Sequence, residues 1–325
     1  MCTKRKSAHE KKVRHITEPG NYTNDMKDMN DEKRRMGKDM EGMAKDAGKK
    51  KIIIITGASS GFGMEFALQL DKLFRPTGKY ACANRPAGQG CGEMWLIARR
   101  KERLEKLAKT LSVPAKIISM DVTKEEDILT FCKMLENENV SIRMLINSAG
   151  FGLMGRFDKI NIEEQLEMLD VNCKALTRLT YECIPYLGRN GRIIQLASSA
   201  AFVPQQNFAI YAATKSYVLS FSRALGAELK EKSIWVTAVC PGPADTEFFH
   251  RAEKYGSTLA IKKLTMVSPE RVVKEALRDS FHKKALSVCS LPMKAFCIIT
   301  KIVPHGWILW AAGLMGKKKG KTDVG

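Results

Sequence analysis

Seven short apolar runs punctuate this chain, and helix-compatible stretches separate them. They are KIIIIT (51–56), EMWLIA (93–98), AKIIS (115–119), RMLIN (143–147), GRIIQLA (191–197), IWVTAV (234–239) and ALSVC (285–289). Runs this short, rich in β-branched residues and continuously apolar fit strands buried on both faces of a parallel sheet. Between them lie segments with apolar residues at helical spacing, such as KERLEKLAKTL and KEEDILTFCKML. Strand alternating with helix predicts an α/β fold: a Rossmann-type doubly wound sheet of about seven parallel strands with helices on both faces. Right-handed crossovers then set the strand carboxyl ends along one rim, where ligands of such sheets bind.

That frame covers residues 51–290 and leaves two ends and one interruption. Residues 1–50 carry KRK, EKK, DEKRR and GKK without apolar periodicity, and read as a disordered basic extension. It lacks the apolar h-region of a secretory signal. An upstream start codon, with translation beginning near Met36 or Met40, is one expectation for this segment, and no nucleic-acid partner is expected. The stretch 75–93, RPTGKYACANRPAGQGCGE, is rich in glycine and proline and reads as a surface loop insertion. Nine cysteines occur without a C-x-x-C pair. Cys132, Cys173, Cys183 and Cys240 fall in apolar patterns, where a free thiol behaves as a small core residue. Neither a metal site nor a disulfide framework is expected, and the protein reads as cytoplasmic.

Two motifs carry chemistry. TGASSGFG (56–63) follows the first apolar run and opens the first helix. Its glycines, Gly57, Gly61 and Gly63, allow a sharp turn and a close approach to a pyrophosphate, with helix N–H groups facing the anion. Further on, AIYAATKSYV (209–218) sets Tyr211 and Lys215 one helical turn apart on one face. A lone Y-x-x-x-K is more often a core tyrosine and a solvent-facing lysine. Joined to the glycine-rich turn, it suggests a phenol tuned for proton transfer. At about 6 Å and an effective dielectric near 20, a lysine cation would favour the phenolate by roughly 3 kcal/mol, or about two pKa units. Burial would oppose that shift.

The spacing T-G-x-x-x-G-x-G with Tyr211 and Lys215 downstream resembles the short-chain dehydrogenase/reductase family over roughly residues 50–290. The resemblance extends to NSAG (147–150), DVT (121–123), LDVNCKA (169–175), LASSAAF (196–202) and CPGPADTEF (240–248), with Ser148 departing from the family's N-N-A-G. It implies a catalytic set of Ser198, Tyr211, Lys215 and Asn172, with Ser199 as the alternative serine. It also implies cofactor contacts from Gly57, Ser59, Ser60, Gly61, Phe62, Gly63, Asp121, Val122, Asn147, Ala149, Gly150, Tyr211, Lys215, Pro241, Gly242 and Thr246. In this pattern Asn172 links Lys215 to solvent through water. The implied activity is oxidoreduction of a ketone or aldehyde and its alcohol by a homodimer or homotetramer. The rival is a catalytically silent nucleotide-sensing or membrane-surface protein on the same fold. A silent relative would usually lack the tyrosine or lysine, and both are present. Epimerases and dehydratases on related folds normally carry a differently spaced turn.

At the end of the second strand, LIARRKE places Ala98 where an acid would bind the ribose hydroxyls of NAD(H), and Arg99 follows. A guanidinium suits a 2′-phosphate, so NADP(H) is expected over NAD(H), with Arg100 as a second candidate. Between Thr246 and Ser268, Phe248, Phe249, Tyr255, Leu259, Ile261, Leu264 and Met266 suggest a hydrophobic substrate or a lid packed on its own core. The tail 291–325 is apolar, holds Trp307 and Trp310, and ends in a basic cluster. Three readings stay open for it: a helix packing on the domain or a partner subunit, an interfacial membrane contact, and a membrane span.

Overall fold

The structure is a computed structural model and describes residues 48–75, 92–244, 246–248, 252–255 and 266–310. Residues 1–47 of the basic extension, most of the insertion, Phe249, Leu259, Ile261, Leu264 and the terminal lysine cluster lie outside the described residues, and the first strand begins at Lys50.

The strands are β1 (Lys50–Thr56), β2 (Glu93–Ala98), β3 (Ala115–Ser119), β4 (Val140–Asn147), β5 (Leu187–Leu196), β6 (Trp235–Val239) and β7 (Leu286–Ser287). They form one seven-stranded sheet in the order β3-β2-β1-β4-β5-β6-β7, with every pairing parallel. The order reverses direction between β1 and β4, and a crevice opens outside the strand carboxyl ends at such a point. The helices are α1 (Gly61–Phe74), α2 (Lys101–Ala108), α3 (Glu125–Asn137), α4 (Ile162–Leu169), α5 (Leu176–Cys183), α6 (Ala209–Glu228), α7 (Pro269–Phe281) and α8 (Leu291–Ile302).

The isoleucine run of β1 explains why the sheet is covered on both sides. Ile52, Ile53, Ile54 and Ile55 are all inaccessible to solvent. Successive side chains point to opposite faces. Ile53 and Ile55 accordingly join Phe66 and Leu70 of α1 and Val273 and Leu277 of α7. Ile52 and Ile54 join Phe131 of α3, Leu179 of α5 and Leu225 of α6 on the other face. A strand with this pattern has no water-facing side, and burying each such side chain is worth about 1.5–3 kcal/mol.

Apolar periodicity over 162–187 predicts one continuous helix; the structure ends the helix at Cys183 and changes its winding before that. Residues Asp170–Ala175 form a π-helical segment between α4 and α5. The wider turn changes the angle of Asn172 without interrupting the helical path, as π-bulges at functional positions do. Periodicity is blind to one inserted residue. Ser268 caps α7, with Pro269 in its first turn and the serine side chain accepting from Arg271 N at 3.3 Å.

Candidate active site

The rim of the sheet is assembled first by backbone. Thr56, the last residue of β1, is buried, and its Oγ1 accepts from Ser148 N and Ala149 N, each at 3.1 Å. This ties the turn after β1 to the turn after β4. Gly57 sits there with φ +67°, and a Cβ would stand 2.8 Å from Ala149 N. A Cβ on Gly63 would collide with the Gly57 carbonyl, so α1 can begin against the turn only without a side chain. The amino end of α1 is left without a side-chain cap at Ser60. Its free N–H groups and partial positive charge are the elements that hold a phosphate.

These turns open on a cavity of about 730 Å³. Its walls include Gly57, Ser59, Ser60, Gly61, Phe62, Arg99, Asp121, Val122, Ala149, Gly150, Ser198, Tyr211, Lys215, Pro241, Gly242 and Thr246. Residues scattered over more than half of the chain thus share one space. Three of the residues implied for the site do not line it. Gly63 packs beneath the turn. Asn147 is buried inside the sheet, where its Nδ2 donates to Thr180 Oγ1 at 2.9 Å and supports the rim. Asn172 is buried as well: its Nδ2 donates to Phe151 O and Thr214 Oγ1 at 2.9 and 3.1 Å, and its Oδ1 accepts from Phe151 N. Its side chain fixes the turn after β4 and makes no bond to Lys215. Ser199 does line the cavity, but its N–H donates to Pro241 O, and Ser198 is the serine whose hydroxyl pulls the Tyr211 phenol down.

At the basic end the two arginines divide differently from the sequence expectation. Arg99 faces carboxylates, with Nη1 at 3.7 Å from Asp121 and 3.6 Å from Glu167. Arg100 instead reaches over the glycine-rich turn, where its Nη2 donates to Ser59 Oγ at 3.0 Å and Ser60 Oγ at 2.9 Å. Its Nη1 pairs with Glu247 at 3.2 Å, and Arg103 meets the same carboxylate at 2.6 Å. Burial raises the Asp121 carboxyl, but bonds from Thr123 and the Arg99 charge outweigh it and hold the group below the usual range.

At the apolar end Tyr211 is stacked on Phe208, with ring centroids 4.3 Å apart, and tilted against Phe248 at 5.3 Å. Gly152 makes this packing feasible, because a Cβ there would lie 2.6 Å from the Tyr211 ring. Met154, Gln205, Met293 and Phe296 complete that end.

The electrostatics correct the expectation of a depressed phenol. Burial pushes Tyr211 up to about 12, against which a hydrogen bond with Ser198 pulls down. Lys215 Nζ donates to Leu196 O at 2.7 Å and stands 5.7 Å from the Tyr211 ring centroid. Its own ammonium is brought down to about 8 by burial. Tyr211 and Lys215 are both buried, so an intermediate dielectric does not describe them. Desolvation of each charge then exceeds their mutual attraction.

The glycine-rich cradle, the uncapped helix end and the paired arginines fit a dinucleotide, and the phenol–lysine pair lines the same cavity. A family model described as short chain dehydrogenase matches residues 78–255. The chain belongs to the short-chain dehydrogenase family. An uncharacterized oxidoreductase of Staphylococcus epidermidis is 33% identical over 200 residues, which is 61% of this chain and 80% of that protein. Among solved structures, a short-chain dehydrogenase from Sphingobium yanoikuyae in complex with NADPH superposes with a TM-score of 0.62 at 24% identity, covering 85% of this chain and 98% of that one. Another, from Burkholderia phymatum in complex with NAD, reaches 0.64 at 18% identity over 77% and 92% of the two chains. This short-chain dehydrogenase is therefore an NAD(P)-dependent oxidoreductase with a Rossmann-type sheet.

Sequence reasoning missed Gly152, Glu247, Met293 and Phe296 as parts of the site. The glycine pair of AGFG was visible as a signal. The tail residues sit at i, i+3 spacing on α8, which marks a face but not what it packs against.

Proposed function

We propose that this short-chain dehydrogenase is an NADP(H)-dependent enzyme interconverting a hydrophobic ketone or aldehyde and its alcohol, with Tyr211 as the proton donor and acceptor. The observation that carries the reading is the position of the Tyr211 phenol. It shares one cavity wall with Ser198 where the glycine-lined cradle meets the apolar chamber of Phe208, Phe248 and Met154. When bound, the nicotinamide cofactor supplies or accepts the hydride. Gly57, Gly61 and the amino end of α1 would hold its pyrophosphate, and Asp121 and Val122 its adenine end. Arg100, Ser59 and Ser60 form the anion-binding group for a 2′-phosphate, with Arg99 beside them. Pro241, Gly242 and Thr246 line the same cavity, and a Cβ on Gly61 would lie 3.6 Å from Thr246.

Ser198 would orient the substrate oxygen toward the Tyr211 hydroxyl. A phenol held at about 12 is fully protonated at neutral pH and ready to donate as the carbonyl oxygen gains negative charge. Lys215, at about 8, would then favour the resulting phenolate and exchange protons near neutrality. Asn172 holds Phe151, and a water beside it would complete a path from Lys215 to solvent. The apolar wall excludes water from the reacting carbonyl, which strengthens each of these interactions. Assembly as a homodimer or homotetramer goes with this reading, and light scattering of the purified protein decides it.

The test is a screen of steroid, retinoid, acyl and aromatic ketones against the native enzyme and Tyr211→Phe, following NADPH absorbance. Turnover of an apolar ketone that is lost in Tyr211→Phe while NADPH binding persists supports the reading. Equal turnover by both proteins overturns it.

A further inference from the structure

Helix α8 is apolar on two opposite faces. Its inner face is occupied: Cys297 and Thr300 are buried, Met293 and Phe296 line the catalytic cavity, and the Phe296 ring centroid lies 6.2 Å from that of Phe202. Its outer face is open, with Leu291, Ile298, Ile299 and Ile302 exposed by 80, 59, 52 and 76%. At 100° per residue these four fall in one stripe about 100° wide. Beyond Pro304 the chain presents Trp307 and Trp310, 73% and 70% exposed. A helix apolar all round belongs in a core or against lipid. Leaving these side chains in water forgoes the gain from burying them, so the face calls for a cover.

Charge chooses among the covers. Lys294 and Lys301 lie on one flank of the stripe, and the sequence continues to Lys317, Lys318, Lys319 and Lys321. The chain carries a net charge of +19, which disfavours a second copy on this face and favours an anionic one. Indole rings, apolar with one N–H donor, suit the headgroup boundary. No helix among the described residues is long and apolar enough to cross a membrane. A helix of 12 residues can lie in the interface but not span it.

We propose that the outer face of α8, with Trp307 and Trp310, docks on the surface of an anionic lipid bilayer. Since α8 walls the catalytic cavity with its other face, docking sets that cavity about 10 Å, one helix diameter, from the acyl chains. A substrate dissolved in the bilayer would then reach the site without crossing water. This last consequence rests on the proposed ketone chemistry; the docking itself does not.

The experiment sediments the full chain with vesicles of phosphatidylcholine alone and of phosphatidylcholine mixed with phosphatidylglycerol. The expected result is binding to the mixed vesicles at least about tenfold tighter than to the neutral ones, with a blue shift of tryptophan emission. The Ile298→Glu, Ile302→Glu double variant is expected to lose that binding at least about tenfold while keeping its thermal midpoint and its NADPH affinity. Should that variant not fold, Trp307→Ala and Trp310→Ala carry the same comparison. Wild-type protein that stays in the supernatant with both vesicles overturns the proposal. So do variants that sediment like wild type, or that halve the mass seen by light scattering, which would make the face a contact between copies. Binding of NADPH without membrane binding would sink the docking alone; membrane binding without ketone turnover would sink the chemistry alone.

Discussion

The two ends of the catalytic cavity are built in different ways. The cofactor end is made of backbone: Gly57, Gly61 and Gly63, the amino end of α1, and the turn after β4 that Thr56 holds at 3.1 Å. Its tolerances are steric, because a Cβ at Gly57 or Gly63 meets main-chain atoms that cannot yield. The end proposed for the substrate is made of side chains from separate segments: Phe208 and Tyr211 from the start of α6, Phe248 from the turn after β6, and Met293 and Phe296 from α8. Side chains can repack and backbone turns cannot. The first end should therefore respond to substitution abruptly and the second by degrees.

The largest effect is expected where the ends meet. Tyr211→Phe should lower kcat by about 10²–10⁴-fold, leaving NADPH affinity within about threefold, as single-turnover kinetics and fluorescence titration would show. A loss confined to KM would detach the phenol from the chemistry. Next comes Gly57→Val, which places a branched side chain at φ +67° against Ala149. It should abolish measurable cofactor binding and lower the thermal midpoint by several degrees, read by calorimetry. Normal binding by this variant would dissolve the contrast between the two ends.

The arginines divide the cofactor end further. Arg100→Ala should raise the KM for NADPH by about tenfold or more and that for NADH by less than threefold, with a smaller change for Arg99→Ala. The reverse ranking would return the 2′-phosphate to Arg99. At the substrate end, Phe248→Ala should raise the KM for apolar ketones by about 3–10-fold without touching cofactor affinity.

The smallest effect concerns stability and pH. Lys215 lies near 8 in the fold against 10.5 ordinarily, so between those values the unfolded chain binds more protons than the native one. Its contribution to stability therefore rises as pH rises through that window. Tyr211 is shifted the other way, from 10 to about 12, and its contribution is complete below pH 10 and is lost above it. Urea midpoints should climb by the equivalent of about 1–3 kcal/mol between pH 7.5 and 9.5 in the wild type, and by less in Lys215→Met. A flat wild-type profile would mean that Lys215 is not desolvated.

Much of this was readable in the sequence because it depends on local pattern. Apolar runs of strand length fixed the seven strands; EMWLIA and AKIIS match β2 and β3 at both ends. The glycine spacing and the Y-x-x-x-K turn located both ends of the cavity, since each is a short-range requirement. Departures came where the outcome depends on something distant. The π-helical segment at Asn172 reflects one residue inserted into a helix and bonds to Phe151 and Thr214, which periodicity does not register. Asn147 sits below the rim because Thr180 of α5 takes its amide. The arginine over the glycine-rich turn is Arg100 because Asp121 and Glu167 face Arg99.

Sequence alone determined the parallel sheet, the cradle and the identities of the phenol and the amine, because backbone turns and strand burial follow from neighbours in the chain. Tertiary structure decided how those groups are charged and what surrounds them. Desolvation of Tyr211 and Lys215, and the second apolar face of α8, depend on residues far apart in the chain converging on one space.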